Sequence, residues 1–182
     1  VKGGLNISNL YRDDASDKDV RSGFHAGFVG RAMADQPIGL QAELLYSTKG
    51  NRTHYTGLYG LIDQDVDFTL NYIEMPVMAA FRFADNAFEL HAGGYAAYLL
   101  SASVHTSGDL GDGSNDLDRE NFNAIDTGVL AGVAFNAGPI QIGARYLLGL
   151  RMLANSDEAD VLLGDARNSC AQVYIAFGQV AE

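Results

Sequence analysis

The chain has 182 residues, which is enough for one domain with a sizeable interior. Its formal net charge of −11 argues against nucleic acid as a partner, because the phosphate backbone would repel it. The single cysteine, Cys170, excludes an intrachain disulfide.

Targeting and membrane-spanning helices are not evident. Val1 opens directly into patterned sequence, so we expect any signal peptide to have been removed. The uncharged stretches 90–108 and 127–144 are interrupted by "GG" and "NAGP", and a spanning helix needs about 20 apolar residues without such breaks.

Apolar and polar residues alternate with a period of two along the whole chain, which predicts β-strands. In "IGLQAELLYSTKG" (38–50), one face holds Ile38, Leu40 and Leu44, and the other holds Glu43 and Lys49. No linker or change of composition divides the chain, so we predict a single domain over 1–182. The predicted strands lie near 1–8, 22–33, 38–49, 69–83, 87–102, 123–135, 140–151 and 170–179.

The connections between these strands alternate in length. Short turns ("ADQP", "ADNA" and "NAGP") alternate with long links at 9–21, 50–68, 103–122 and 152–169. In an up-and-down meander the short turns meet at one end and the long loops at the other. The pattern predicts an all-β fold, an eight-stranded antiparallel up-and-down transmembrane β-barrel with short periplasmic turns and long extracellular loops.

Nearly all of the negative charge lies in the long links. They carry 16 acids and 6 bases, against 7 acids and 6 bases elsewhere. We expect an acidic, solvated surface at the long-loop end.

Alternation alone does not decide which face meets solvent, because a soluble barrel would exchange inside and outside. Glycine favours the membrane barrel: the polar face carries Gly4, Gly27, Gly39, Gly93, Gly128, Gly132, Gly143, Gly149 and Gly178, and the apolar face only Gly3, Gly30 and Gly94. Small residues make room for long side chains inside a narrow barrel. A soluble calycin-like barrel that holds a hydrophobic ligand is the alternative.

Aromatic residues on the apolar face also favour the membrane barrel. Phe81, Phe83 and Phe88 fall at the short-turn end, whereas Tyr46 and Tyr98 fall toward the long loops. Two such groups are typical of the borders of a lipid-facing band. Pro76 lies inside the fourth strand, where it removes a ladder hydrogen bond, so we predict a local bulge there.

Ionisable residues on the polar face are predicted to form a salt-bridged network inside the barrel, since buried charges need partners. An eight-stranded barrel is too narrow for a wide pore, so conduction ranks low. The predicted network consists of Arg31, Glu43, Glu74, Arg82, Glu89, His91, Asp126 and Arg145.

An outer-membrane lipid-modifying hydrolase is a second alternative. The polar face holds serine, histidine and acidic residues, the types that form a hydrolase triad: His25, His91, Ser47, Ser101, Glu43 and Glu89. No nucleophile elbow accompanies them, so we expect no catalytic residues, no enzyme activity and no cofactor.

Metal binding is also not expected. "DLGDGSNDLDREN" (109–121) is rich in aspartate, but Leu117 stands where a calcium loop needs glycine. His54 and His105 lie in predicted loops without spaced partners. Another loop, "NRTHYTGLYGLI" (51–62), is a candidate contact surface through Tyr55, Leu58 and Tyr59, unless its residues continue the flanking strands.

Four segments in order, "VKGGLNISNLY", "QAELLYSTKG", "LNYIEMPVMAAF" and "GARYLLGL", resemble the PorT-like outer-membrane β-barrel family of Gram-negative bacteria. The resemblance implies an eight-stranded barrel in the outer membrane and makes Pro76 a family feature. It implies little about activity, although one branch takes part in protein secretion.

We therefore expect a non-enzymatic protein of the outer membrane, surrounded by its lipid. Its long acidic loops would bind a protein partner, ligand or surface polymer. An accessory role in secretion or envelope integrity is the finer expectation.

Overall fold

The computed structural model describes residues 1–11, 20–33, 36–57, 62–108, 113–117, 123–151 and 167–178. No helix within these ranges is long and apolar enough to cross a membrane. The strands are β1 (Lys2–Tyr11), β2 (Arg21–Ala32), β3 (Ile38–Gly57), β4 (Ile62–Phe83), β5 (Phe88–Gly108), β6 (Gly113–Leu117), β7 (Ile125–Ala137), β8 (Ile140–Gly149) and β9 (Arg167–Phe177).

Eight of these strands close into a barrel. Each pairs antiparallel with its neighbour in the chain, and β1 pairs with β9 to complete the ring. At this seam the Val1 ammonium donates to the Phe177 carbonyl over 2.7 Å. The short strand β6 lies outside the ring and, within the described ranges, pairs only with the end of β5. The predicted eight-stranded antiparallel barrel is confirmed.

The apolar face of every barrel strand points outward. Phe28 is 69% exposed and Leu44 is 49% exposed, whereas Arg145 is 3% exposed. Among the described residues, polar and ionised side chains line most of the interior and apolar ones only its loop side, so the interior lacks the apolar lining of a calycin. The soluble-barrel alternative is therefore wrong, because its inside and outside are exchanged in this chain.

Strands β3, β4 and β5 are much longer than predicted. The β3–β4 ladder continues without interruption of register from Lys49↔Leu70 to Gly57↔Ile62, so most of the predicted loop 50–68 is a hairpin. On β5, residues up to Gly108 pair with β4, and β6 adds a further strand. The alternating aspartates of 63–67 indicated a loop, but a strand outside the membrane can carry charges on its solvent face.

Pro76 produces no bulge, which corrects the prediction. The register of β4 with β5 shifts instead between Asn71 and Tyr72, four residues away. On the β3 side the pairs flanking Pro76, Ala42↔Val77 and Leu45↔Glu74, keep one register. The missing N–H is thus accommodated without an extra residue.

The bulge changes which face Ser101 occupies. Beyond it the inward positions of β5 become even-numbered, so Ala102 is buried and Ser101 is exposed, where it accepts a hydrogen bond from Asn71 Nδ2 over 3.0 Å. The prediction that Ser101 shares the inner face with His25 and His91 is wrong for this reason.

Interior glycines allow neighbouring groups to approach closely. A Cβ at Gly27 would overlap the backbone of Leu44 and Leu45, and one at Gly143 would overlap the ring of Tyr174. At Gly39 a Cβ would lie 2.6 Å from Nη1 of Arg82. Gly39 and Gly143 are therefore small because large side chains share a narrow interior, and Gly27 is small because the backbone of β3 approaches it closely.

Candidate functional site

The outward face carries an apolar band of the height expected for a membrane barrel. Along β8 and the residue after it, the band runs from Ile140 to Leu150, and the rise of ten residues along a tilted strand is about 25 Å. Aromatic pairs mark its borders. At the short-turn end the ring centroids of Phe83 and Phe88 are 5.7 Å apart, and at the other end those of Phe24 and Tyr46 are 5.9 Å apart.

The centre of the interior is organised around Glu43 on β3. Its Oε1 lies 2.9 Å from Lys2 Nζ, and its Oε2 lies 2.9 Å from Arg145 Nη1. Gln41 Nε2 donates to Oε1 over 2.7 Å, and Arg145 Nε donates to Gln172 Oε1. One carboxylate thus neutralises two cations from strands that are not adjacent to β3.

A second ion pair lies toward the long-loop end. Lys49 Nζ is 2.5 Å from Glu74 Oε2, and both side chains are completely buried. Arg145 Nη2, at 3.8 Å from Glu74 Oε1, connects this pair to the central one. The Lys49 ammonium also lies 4.7 Å from the centroid of the Tyr95 ring, a cation–π distance.

Asp126 is held by neutral donors. Its Oδ2 accepts hydrogen bonds from Tyr95 Oη over 3.2 Å and from Asn168 Nδ2 over 2.8 Å. Asn168 Nδ2 also donates to Tyr72 Oη over 3.2 Å. The four side chains belong to four different strands, so they tie β4, β5, β7 and β9 together.

A third cluster centres on Glu89 at the short-turn end. Arg82 Nε lies 3.2 Å from Glu89 Oε1, and His91 Nε2 lies 2.9 Å from Oε2. Gln141 Nε2 donates to the same Oε2 over 3.1 Å. Arg31 is exposed at this mouth, where its Nη2 donates to Gln141 Oε1 over 2.7 Å.

The eight residues of the predicted network line the barrel interior, seven of them buried and Arg31 exposed at the rim, but they lie in separate clusters, and the hydrogen bonds of Arg31 and Asp126 described above are to neutral side chains. In the described part of the interior, buried cations and carboxylates balance: Lys2, Lys49, Arg82 and Arg145 against Glu43, Glu74, Glu89 and Asp126. Lys2 and Lys49 are central contacts that the predicted network omitted. Their strand phase placed them on the polar face, and the need of Glu43 and Glu74 for cations was the signal that would have included them.

Apolar side chains close the interior on the loop side of these ion pairs. One buried cluster contains Leu70, Leu99, Ala102, Leu147 and Cys170, with Phe68 packed against it. Leu70 follows Glu74 toward the loops on β4, and Leu147 follows Arg145 on β8. The polar column is therefore capped by an apolar layer.

The interior histidines have partners other than serine. His25 Nδ1 lies 2.7 Å from Asn6 Oδ1, and His91 contacts Glu89 and, at 3.3 Å, Tyr174 Oη. Ser47 Oγ accepts from Asn6 Nδ2 over 3.0 Å. Within the described interior these contacts assemble no serine–histidine–acid triad, which would need direct hydrogen bonds between its members.

Beyond the membrane band, β3, β4, β5 and β6 continue as a four-stranded sheet, which we call the projecting sheet (49–57, 62–70, 101–108 and 113–117). From Tyr46 to Gly57, β3 extends roughly 35 Å along its own direction. The other barrel strands end close to the band. The projecting sheet is therefore the main ordered extramembrane feature of the described chain.

The two faces of the projecting sheet have the polarity of a water-soluble protein. The face that continues the barrel interior holds Leu70 and Ala102, which are buried, and Phe68 and Val104, which are partly buried. The outer face holds the exposed His105 and the partly buried Asp67. The inside–outside polarity of the membrane band is thus inverted in this sheet.

The predicted loop contacts fall partly in the projecting sheet. Tyr55 is a residue of β3, where it pairs with Gln64 of β4. Leu58 and Tyr59 lie outside the described residues, as does most of the acidic segment 109–121 apart from β6. The backbone therefore favours strand continuation for Tyr55.

A closed antiparallel barrel with an apolar exterior, aromatic borders and an ionic interior defines a β-barrel membrane protein. The chain belongs to the outer membrane protein beta-barrel domain family, whose model matches residues 1–155. It is thus an outer-membrane barrel. No curated protein sequence matches it significantly.

Two solved structures are similar in fold. The crystal structure of Neisserial surface protein A (NspA) matches with a TM-score of 0.55 at 16% identity, covering 96% of this chain and 92% of that one. The crystal structure of Ail, the attachment invasion locus protein of Yersinia pestis, in complex with the heparin analogue sucrose octasulfate, matches with a TM-score of 0.51 at 16% identity, covering 97% of this chain and 94% of that one.

Proposed function

We propose that this chain is a non-enzymatic, non-conducting outer-membrane anchor that binds an extended, basic segment of another protein at its projecting sheet. The observation that carries the proposal is the extension of β3 to β6 beyond the membrane band. A barrel needs no such extension to stay in the bilayer, so its surface is available for recognition.

The filled interior supports the non-conducting part of the proposal. Paired charges occupy the barrel axis from Glu89 to Glu74, and Leu70, Leu99 and Leu147 close the loop side. Passage of an ion would require the separation of buried ion pairs, each of which is costly to break.

The open edge of β3 supports strand addition. Among the described residues, 51–57 pair on one side with β4, while pairing with β2 ends at Ser47. This edge contains threonine, tyrosine, histidine and one cation, Arg52, and neither proline nor an acid. The opposite edge, β6, has five residues with Gly113 at one end and Asp116 within it. Short edges resist pairing, and longer edges without proline permit it.

The geometry of the membrane favours a different protein over a second copy. Strands β3 of two copies side by side in one membrane run in the same direction relative to the bilayer. The antiparallel pairing that strands favour cannot form between them. An extended segment of a separate partner has no such restriction.

Charge favours a basic partner. The predicted long links carry 16 acids against 6 bases. Ail was crystallised with a sulfated heparin analogue, which is a polyanion. The acidic surface of this chain opposes such a ligand, so a surface polymer would bind only if it were neutral or cationic.

We also infer that the chain belongs to the PorT-like group, because four of its segments resemble that group in order. On this inference the partner would be a component of protein secretion or of the envelope. The partner would bind at the projecting sheet whether it belongs to a secretion system or to the envelope.

A synthetic probe tests the edge. The full chain, reconstituted in vesicles, is mixed with a fluorescent nonapeptide that alternates lysine with valine and threonine, and with fluorescent heparin. We expect salt-sensitive binding of the peptide and no binding of heparin. Successive backbone N–H groups point to opposite sides of a strand, and proline has no N–H. Of the two variants Thr53→Pro and His54→Pro, one therefore removes a hydrogen-bond donor from the open edge of β3. The other removes a donor from the ladder between β3 and β4.

Loss of peptide binding in one of these two variants, with Ser114→Pro on the β6 edge unchanged, would support the proposal. Equal peptide binding in all three variants, or heparin binding in the wild type, would overturn it. Heat-modifiable gel migration shows that each variant is folded.

A further inference from the structure

Two exposed arginines lie at the long-loop border of the apolar band. Within the described part of the chain, Arg151 and Arg167 are the lysine or arginine residues fully exposed at this end. The other described lysines and arginines are buried or partly buried, except Arg31 at the opposite mouth. The exposed positive charge at this border therefore comes from β9 and from the residues directly after β8.

Both arginines lie beside Leu150, which is 57% exposed at the upper end of the band. Arg151 follows Leu150 directly in the chain. The ladder between β8 and β9 ends with the outward pair Leu148↔Ser169, so the next outward positions on the two strands are Leu150 and Arg167. Since neighbouring strands are about 4.8 Å apart, Arg167 is one strand away from Leu150, immediately above the lipid-facing surface.

The two arginines lie on either side of Leu150. Arg151 Nη2 donates to Asn123 Oδ1 over 3.2 Å, and Asn123 immediately precedes β7, so this side chain leans toward the β7 side of β8. Arg167 belongs to β9, on the other side. In the described ranges no salt bridge includes either arginine. Both guanidinium groups can therefore donate to an anionic ligand.

The level and the chemistry of this pair fit a lipid headgroup. Arginine forms short, charge-assisted and often bidentate hydrogen bonds with phosphate oxygens. Below the pair, Tyr146 is 52% exposed and Leu148 is 37% exposed, which gives acyl chains an apolar surface. We propose that Arg151 and Arg167 bind the phosphates of an outer-leaflet lipid whose acyl chains lie against β8 and β9. Two separated cations fit a headgroup that carries two phosphates.

The opposite border of the band differs. Its lipid-facing side carries Phe83 and Phe88, and Arg31, the exposed arginine described at that end, has the inward phase of β2 and lies at the mouth. The pair at the long-loop border can thus distinguish one leaflet from the other.

The segment 152–166 between the two arginines carries four acids and no base. A soluble polyanion must approach through this acidic surface, whereas a lipid arrives laterally within the bilayer. The site is independent of the peptide partner proposed above, because it lies on β8 and β9 and not on the projecting sheet.

Titration of fluorescent diphosphoryl lipid A into the refolded full chain, in a zwitterionic detergent, tests the site. We expect saturable binding of one lipid per chain. A basic residue at a membrane surface strengthens binding of anionic lipid by about fivefold, so Arg151→Gln and Arg167→Gln should each weaken affinity by about that factor and the double variant by roughly 25-fold. The control Arg31→Gln removes an exposed arginine at the opposite mouth and should leave the affinity unchanged.

Two competitors identify the ligand. Lipid A without phosphates should bind the wild type as weakly as diphosphoryl lipid A binds the double variant. Excess inorganic phosphate should not displace the lipid, because it lacks the contacts with Tyr146 and Leu148. Equal affinity of the wild type and the double variant, equal binding of the two forms of lipid A, or complete displacement by inorganic phosphate would overturn the proposal. Heat-modifiable migration shows that every variant retains the barrel, and peptide binding at the β3 edge is measured separately.

Discussion

Arg145 of β8 and Glu43 of β3 form an ion pair across the barrel interior, with Nη1 2.9 Å from Oε2. Three strands separate them in either direction around the ring, β9, β1 and β2 on one side and β7, β5 and β4 on the other. The pair therefore stabilises the closed barrel rather than any one hairpin, and it connects the Lys2 contact to the Glu74 pair.

Removal of one charge from this group should destabilise the barrel strongly. Glu43→Gln keeps the shape of the side chain but leaves Lys2 and Arg145 without their carboxylate, and breaking a buried pair costs about 3–5 kcal/mol. Urea unfolding in lipid vesicles measures the loss. The control Ser22→Ala, on the exposed outer face, should change the free energy of unfolding by less than about 0.5 kcal/mol. A loss below 1 kcal/mol for Glu43→Gln would contradict the structural role.

The lipid-facing assignment predicts a dependence on depth. Val77 lies near the middle of the apolar band and Ile140 at its short-turn border. Val77→Arg should lower the free energy of unfolding in vesicles by about 2–4 kcal/mol, and Ile140→Arg by about 0–1 kcal/mol, because charge is costliest at the bilayer centre. Equal losses at the two positions would argue against a membrane band centred on Val77.

Two glycines of β2 should respond oppositely to alanine. A methyl group at Gly27 would overlap the backbone of β3, whereas at Gly30 the nearest group is Ala42 O at 3.8 Å. Gly27→Ala should destabilise the barrel by about 1–3 kcal/mol through overpacking. Gly30→Ala should be neutral or stabilising by up to about 1 kcal/mol, because alanine restricts the unfolded chain. Denaturant unfolding of both variants checks the difference, and the same sign at both sites would refute it.

The bulge on β5, where Leu100 is the extra residue, predicts which cysteines react with a water-soluble maleimide. Native Cys170 is 1% exposed, so the folded wild type should remain unlabelled. Ser101→Cys should be labelled rapidly, since Ser101 is exposed, whereas Leu99→Cys, at a site with 1% exposure, should not. Mass spectrometry of intact folded protein measures the labelling. If Ser101→Cys were protected from labelling, position 101 would face the interior and the bulge in β5 would be contradicted.

Planar-bilayer recordings test whether the interior is closed. With Glu43, Glu74 and Glu89 all paired to cations and leucines packed above them, the wild type should show no steady conductance. A matched recording from a wide bacterial porin shows that the bilayer reports open channels. Stable, voltage-independent channels from the purified chain would contradict the non-conducting proposal.

The membrane-spanning part of the fold could be predicted from sequence because two periodic signals coincide in it. Strand phase alone separates Leu44 from Glu43, and the alternation of short turns with long links orders the strands. The glycines of the polar face, such as Gly27 and Gly143, supply the missing inside–outside assignment, since only a crowded interior requires them there.

The extramembrane part could not be predicted in the same way. Inside the bilayer the outward positions of a strand are apolar, whereas outside the bilayer they can be charged. The alternating residues Asp63, Asp65 and Asp67 therefore resembled a solvated loop and not a membrane strand. The proximity of His54 to Asp65 and of Asp67 to His105 depends on register, which is a long-range property of paired strands. The bulge that moves Ser101 outward depends on a single extra residue and leaves no mark in composition.

The reversal of polarity between Ile73 and Asp67 also sets the vertical position of the barrel. An upward displacement of the bilayer by two rungs would bring ionised groups against acyl chains and leave Phe83 and Phe88 in water, and a downward one would leave Phe24 and Tyr46 in water. The sequence of the chain therefore fixes how deeply the barrel sits in the bilayer, and the projecting sheet is held at a constant height above the membrane surface.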